Sequence, residues 1–247
     1  MKRTLVLGGT TEASALVAEL ARQGLPAVLS YAGRVDQPRA QPVPVRVGGF
    51  GGVAGLADYL RAENIGQIVD ATHPFAAQIS ANAVKAAALS AVPLCAFERP
   101  AWQPEPGDRW QNVADIQSAV QALQRPAARV FLAIGRLHLA AFAPLSQHDF
   151  LLRVVDVPQA DFPLPGARIE VARGPFSLAD DLALMRSHGT EILVAKNAGG
   201  AGAQAKIDAA RQLGLEVVMI ARPPVPARQV CGDLQGVISW LHTRLGV

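Results

Sequence analysis

The chain has 247 residues, half of them apolar, with a formal net charge of +3 at pH 7 and two cysteines. That length fits one large or two small α/β domains with sizeable cores, and no apolar run approaches the roughly 20 residues of a membrane-spanning helix. The basic residues are scattered, with no Lys/Arg run carrying interleaved aromatics, which argues against nucleic acid as a partner.

The N-terminus enters its first strand at once, without the pattern of a signal peptide, and Cys95 and Cys231 lack metal-type spacing. Both features predict a cytoplasmic protein with reduced, buried thiols and no metal site. Arg outnumbers Lys 19 to 4. Guanidinium forks suit carboxylate ligands, although a bias of the whole proteome accounts for the count equally well.

Thr4 to Leu7 reads as a buried strand that breaks at Gly8-Gly9 and passes into a helix capped by Thr10 or Thr11, with Glu12 in its first turn. Ala13, Leu16, Val17 and Leu20 share one face, and Gly24 ends the run. A strand, a Gly-rich turn and a helix N-terminus open a dinucleotide-binding unit of the Rossmann kind, although the spacing departs from G-x-G-x-x-G. The bland alternative is a Gly turn before an ordinary packed helix.

A second strand, Ala27 to Ser30, is followed by Gly33 and Arg34, with no acid before Asp36. An acid at this strand end would hold the 2′-hydroxyl of NADH, whereas a hydroxyl and a guanidinium suit the 2′-phosphate of NADPH. A third strand, Val43 to Val47, runs into Gly48 and Gly49, where the backbone can approach an adenine closely. After a helix over 53–63, the fourth strand, Gln67 to Asp70, leads to Thr72-His73-Pro74. Pro74 fits the first turn of the next helix, with Thr72 or His73 as its cap. His73 then stands at the carboxyl end of a central strand, where open α/β sheets bind ligands; an isolated histidine is as often structural. A fifth strand spans 92–97.

Three prolines within Pro100 to Pro106 mark a linker. The domain boundary is expected there or after the helix at 114–123, giving a first domain of 1–124 and a second of 125–247. The pattern then repeats: strands at 129–134, 150–157, 191–195 and 216–221, a short strand ending at Val171, and a helix boxed by Ser177 and Asp180. Lys196 opens a second Gly-rich turn, 197–202, followed by a helix carrying Lys206. Asp233 caps a last helix packed through Val237, Trp240 and Leu241.

Arg136, Arg173, Lys196 and Arg222 each follow a predicted strand directly. Parallel strands would gather them along one sheet edge, where they repel unless an anion neutralises them or acids from neighbouring loops pair with them. Signatures of nucleophilic, zinc or P-loop chemistry are missing, which suits a reaction carried by a cofactor.

Leu7-Gly-Gly-Thr-Thr-Glu-Ala13, Asp70-Ala-Thr-His-Pro-Phe-Ala76, Ala172-Arg-Gly-Pro-Phe176, Lys196-Asn-Ala-Gly-Gly-Ala-Gly202 with Ala205 to Arg211, and Ile220-Ala-Arg-Pro223 follow in order. Together they closely resemble the precorrin-6A reductase family of cobalamin biosynthesis over nearly the whole chain, with Ala198 where the family often has Ser. The resemblance implies two Rossmann-like parallel-sheet domains with a cleft between them. It implies an NADPH-dependent reduction of one double bond of a tetrapyrrole polycarboxylate, precorrin-6A, to precorrin-6B.

On that reading Gly8, Gly9, Thr10, Thr11 and Glu12 hold the pyrophosphate. Ser30, Gly33 and Arg34 hold the 2′-phosphate, Gly48 and Gly49 border the adenine, and Thr72 and Pro74 border the nicotinamide. His73 is the candidate acid, with solvent or a substrate carboxyl as alternatives. Arg136, Arg173, Lys196, Lys206 and Arg222 anchor substrate carboxylates. A two-domain nucleotide-dependent transferase and a non-catalytic NADPH sensor remain as alternatives, and the oligomeric state is left open, a monomer being compatible.

Overall fold

The computed structural model describes residues 2–32, 40–154, 163–172, 174 and 176–245. The chain divides into two compact units, one of residues 1–100 with 224–247 and one of residues 101–223. Each unit carries one six-stranded sheet, and every strand pairing in both is parallel.

In the first unit β1 (Arg3–Leu7), β2 (Ala27–Tyr31), β3 (Val45–Val47), β4 (Ile65–Asp70) and β5 (Leu94–Phe97) alternate with α1 (Thr11–Arg22), α2 (Gly52–Ala62) and α3 (Ala77–Ser90). The second unit supplies β6 (Arg109–Val113), α4 (Ile116–Ala122), β7 (Arg129–Ala133), β8 (Asp149–Val154), β9 (Arg168–Val171), α5 (Leu178–His188), β10 (Ile192–Lys196), α6 (Ala205–Gln212) and β11 (Glu216–Ile220). The chain then returns to the first unit as β12 (Gln229–Cys231) and α7 (Leu234–Leu245).

The first sheet has the order β12-β5-β4-β1-β2-β3 and the second β6-β11-β10-β7-β8-β9. Both are the Rossmann-type 3-2-1-4-5-6 order read from one edge. In the first sheet the sixth position is filled by the last strand of the chain. In the second it is filled by β6, which precedes its sheet-mates in sequence. The expected boundary after residue 124 is therefore corrected. β6 and α4 belong to the second sheet, and the tail from Pro224 belongs to the first.

Side-chain alternation along the strands builds two cores in the first unit. Val6, Leu29, Val69 and Cys95 meet Leu16, Val17 and Leu20 of α1 and Val237, Trp240 and Leu241 of α7. Leu5, Leu7, Val28 and Ile68 meet Leu56 and Leu60 of α2 and Ala83, Ala86 and Ala87 of α3. Asp233 caps α7 as the sequence predicts, accepting from the Gly236 amide at 2.8 Å. Cys95 and Cys231, 136 residues apart, come from the neighbouring strands β5 and β12 with their Sγ atoms at 3.3 Å. Burial, with the second thiol alongside, pushes the Cys95 thiol up to about 12.

In the second unit Phe131, Leu151, Leu193 and Val217 pack with Met185 of α5 and Ile207 of α6. Ser177 caps α5 through the Asp180 amide at 3.1 Å, and Gly189, at φ +66°, closes it. Arg153 of β8 turns into this core to pair with Asp181 of α5, and both side chains are nearly inaccessible. Among the described residues no helix is long and apolar enough to cross a membrane.

His188 ends α5 with Nδ1 3.0 Å from the Thr190 hydroxyl and Nε2 3.7 Å from Asp149. Burial depresses its pKa more than Asp149 raises it, and Arg168 and Arg129 add to the depression. Between the ordinary histidine value of roughly 6.5 and this lower folded value the unfolded chain binds a proton that the native chain does not. The contribution is complete above that window and is lost as pH falls through it. Thermal unfolding of His188→Gln should therefore show a flatter pH dependence than the parent chain as pH falls below the ordinary histidine value. Parallel curves would contradict the assignment.

Candidate functional site

The strand order of the first sheet reverses between β1 and β4, so the loops after these two strands diverge and leave a crevice at their carboxyl ends. Gly8 leaves β1 in close contact with β2: a Cβ there would lie 2.5 Å from Leu29 Cδ1. Gly9 takes φ +117°, and no atom lies within 4 Å of where its Cβ would stand. A bare, left-handed backbone facing open space is the cradle that a phosphate requires beside a helix N-terminus.

Thr10 is the N-cap of α1. Its hydroxyl accepts from the Ala13 amide at 3.1 Å and donates to the Ala71 carbonyl, past the end of β4, at 2.7 Å. Thr10, Glu12, Thr72, Pro74 and Arg99 line one pocket at this point. Four of the residues selected from sequence thus converge. The fifth, Arg99, follows β5, and its Nη1 lies 2.6 Å from Glu12 Oε2. Burial pushes the Glu12 carboxyl up, but the hydrogen bond and charge of Arg99, with amide and Thr11 contacts, outweigh it and hold the group below its ordinary value. The pair offsets a carboxylate that would otherwise repel an anion at the helix N-terminus. Thr11 donates to the same oxygen at 3.0 Å.

The loop after β4 is tied from below. Asp70 is buried, and its Oδ1 accepts from the Thr72 amide at 3.2 Å and the Thr72 hydroxyl at 2.7 Å. Ser80 of α3 lies 3.2 Å from that hydroxyl. Nδ1 of His73 accepts from the Phe75 amide at 3.2 Å, which leaves the ring proton of the neutral form on Nε2. These bonds hold residues 72–76 as a turn, closed by the Ala76 amide on the His73 carbonyl at 2.7 Å. The expectation that Thr72 or His73 caps α3, with Pro74 in its first turn, is corrected. The helix starts at Ala77, with Ala76 at the cap position and no side-chain bond there.

At the end of β2 the Ser30 hydroxyl is buried and accepts from Arg46 Nη1 at 3.2 Å. Arg46 of β3 also donates to the carbonyls of Gly48 and Gly49, and its guanidinium lies 3.8 Å from the Phe50 ring centroid. The Ser30 hydroxyl is thus engaged by Arg46. Gly33 and Arg34, predicted beside it, lie outside the described residues.

In the second unit β7, β10 and β11 are adjacent and parallel. Arg136 and Arg222 follow the carboxyl ends of β7 and β11, Lys196 is the last residue of β10 where it was expected just after the strand, and Arg173 lies outside the described residues. Arg136 opens a 3-10 helix (Arg136–Phe142) that buries Leu139 and Phe142, and the neighbouring Leu137 is 63% exposed. Arg222 is partly structural, since it donates to the carbonyls of Asn197 and Ala198 at 3.0 and 3.1 Å. Lys206 Nζ donates to the Ala203 carbonyl at 2.7 Å and stands 5.0 Å from the Trp102 ring centroid.

Trp102 was not singled out from sequence. Its backbone makes two hydrogen bonds with the Asn197 side chain and its Nε1 donates to Gly200 at 3.1 Å, so it pins the Gly-rich turn. Arg46 and Arg99 were also missed. The available signal was position, within the edge strand β3 for Arg46 and just after β5 for Arg99, and both sat in stretches that read as plain strand or linker.

The profile of a family described as "Precorrin-6x reductase CbiJ/CobK" matches residues 3–242. A precorrin-6A reductase of Rhodobacter capsulatus is 59% identical over 241 residues, covering 98% of this chain and 96% of that protein. One from Rhodococcus erythropolis is 49% identical, covering 98% of each chain, and a cobalt-precorrin-6A reductase of Priestia megaterium is 30% identical over 96% of this chain and 97% of its own. A solved structure described as "CobK precorrin-6A reductase" superposes with a TM-score of 0.95 at 58% identity, covering 99% of this chain and 97% of that one. With the crevice between β1 and β4 and the cation row of the second sheet in view, the chain belongs to the precorrin-6x reductase family.

Proposed function

We propose that this chain reduces one double bond of precorrin-6A to give precorrin-6B in cobalamin biosynthesis, with NADPH as reductant at the β1–β4 crevice. The observation that carries the reading is the convergence of Thr10, Glu12, Thr72 and Pro74 on one pocket at the reversal point of the first sheet. It occurs in a family member 59% identical along its length to a reductase of that name. Family membership sets aside the transferase and the non-catalytic sensor.

The open Gly9 backbone and the N-terminus of α1 fit the pyrophosphate, and the Thr72–Pro74 turn fits the nicotinamide end. The coenzyme, when bound, supplies a hydride. Thr10 keeps the two loops of the crevice at fixed separation, and Asp70 holds Thr72. The Arg99–Glu12 pair keeps the phosphate end from being net negative. His73 is the candidate acid for the carbon next to the one that receives hydride: it gives up a ring proton as imidazolium and ends as the neutral imidazole, with solvent or a substrate carboxyl as the other donors.

Arg136, Lys196, Lys206 and Arg222, with Arg173, anchor the carboxylates of the macrocycle, and exposed Leu137 offers an apolar contact beside Arg136. Relatives 44–59% identical are named precorrin-6A reductases, and those at 27–30% are named cobalt-precorrin-6A reductases. That gradient supports the metal-free macrocycle as substrate.

NADPH oxidation, followed at its absorbance band, should proceed with metal-free precorrin-6A and much more slowly with its cobalt form. The reverse preference would overturn the choice of substrate, and no turnover with either would overturn the reaction. Arg136→Glu and Lys196→Glu should each raise KM for the macrocycle about tenfold or more while leaving the NADPH Kd unchanged. An equal loss of NADPH binding would contradict the assignment of these residues to substrate.

A further inference from the structure

We infer that Arg46 is the residue that selects NADPH over NADH, reading the 2′-phosphate through the one edge of its guanidinium that the fold leaves unused. The inference rests on the proposed NADPH reading and adds the residue that enforces it.

A guanidinium carries five N–H donors. Both hydrogens of Arg46 Nη1 are committed, one to the Ser30 hydroxyl and one to the Gly48 carbonyl, and one hydrogen of Nη2 goes to the Gly49 carbonyl. What remains is Nε–H and one hydrogen of Nη2. Nε and Nη2 flank the same edge of the group, the edge that can hold a phosphate by two parallel bonds.

The group is also locked in plane. Phe50 covers one face at 3.8 Å, Tyr59 stands 5.3 Å away, and the two rings meet edge to face at 5.1 Å. Gly55 of α2 makes this platform possible, because a Cβ there would lie 1.8 Å from the Phe50 carbonyl oxygen. The partners of Arg46 are all neutral. Among the described residues no carboxylate forms an ion pair with it, so a half-buried cation is held by three oxygens that leave its charge uncompensated.

Position gives the ligand its identity. Arg46 pairs in register with Ser30, the residue on β2 where a Rossmann-type sheet meets the ribose of the adenosine. An acid at that strand end would accept the 2′-hydroxyl of NADH. Here the strand end carries a buried serine whose hydroxyl is turned to Arg46. The nearby cation attracts a phosphomonoester dianion and gives a neutral ribose hydroxyl little in return. Ser30 is thus a positioning residue and Arg46 the contact.

The test is binding, independent of turnover. Kd values for NADPH, NADH, adenosine 2′,5′-bisphosphate and inorganic phosphate are measured by calorimetry on the parent chain, Arg46→Gln, Arg46→Lys and Ser30→Ala. Thermal unfolding checks that each variant folds. Loss of a bidentate charged contact should weaken NADPH and the bisphosphate about 30- to 100-fold in Arg46→Gln, with NADH changed less than about threefold. Arg46→Lys should keep part of the preference as a point charge, and Ser30→Ala should lose part of it. Weak binding of inorganic phosphate, abolished in Arg46→Gln, would support the same fork.

Equal weakening of NADPH and NADH would reduce Arg46 to a structural role. An unchanged preference in Arg46→Gln would move selection to another residue. A parent chain that binds NADH as tightly as NADPH would sink the NADPH reading itself, whatever Arg46 does.

Discussion

The hydroxyl of Thr10 ties the first unit together at the point where function is placed. It starts α1 by accepting from the Ala13 amide and spans to Ala71 beyond β4, so one side chain fixes both lips of the crevice where the sheet order reverses. A parallel sheet forces this geometry, because each strand must be followed by a crossover and the crossovers of β1 and β4 leave on opposite faces. The contents of the lips follow from it. Gly9 lies bare on one side, and the Thr72–Pro74 turn, braced by buried Asp70, lies on the other.

Electrostatics distinguish the two units. In the first, cations near the crevice are matched to acids, as Arg99 is to Glu12 and Arg228 to Glu98. In the second, Arg136, Lys196 and Arg222 stand at or just beyond the ends of three adjacent parallel strands, and Arg222 and Lys206 each donate to a backbone carbonyl. Arg46 of the first unit is likewise held by uncharged oxygens, those of Ser30, Gly48 and Gly49.

Much of the fold was legible from local chemistry. The strand, Gly-Gly turn and capped helix at Thr4 to Leu20, the Ser177–Asp180 box and the Asp233 cap were each readable because a few adjacent residues decide them. The two edge strands were not. β6 and β12 have five and three residues, mostly exposed, and their partners β11 and β5 lie more than a hundred residues away in sequence. Nothing local marks such a strand, so the exchange of chain ends between the sheets was invisible and the boundary was drawn too late. Long range also hid the approach of Cys95 to Cys231 and the capture of Ser30 by Arg46. The start of α3 was misjudged because Pro74 is equally at home in a turn, and side-chain bonds spanning two residues, from Thr72 to Asp70 and from Phe75 to His73, hold the turn in place of a first helical turn.

The central claim is that the coenzyme is held by the carboxyl ends of β1, β2, β3 and β4 of the first sheet, with the second sheet reserved for the macrocycle. Amide hydrogen exchange with and without NADPH, in the absence of substrate, addresses it most directly. The account predicts added protection over residues 8–14, 46–52 and 71–77, with residues 196–206 unchanged. Protection centred on 196–206, with the first set unaffected, would contradict it.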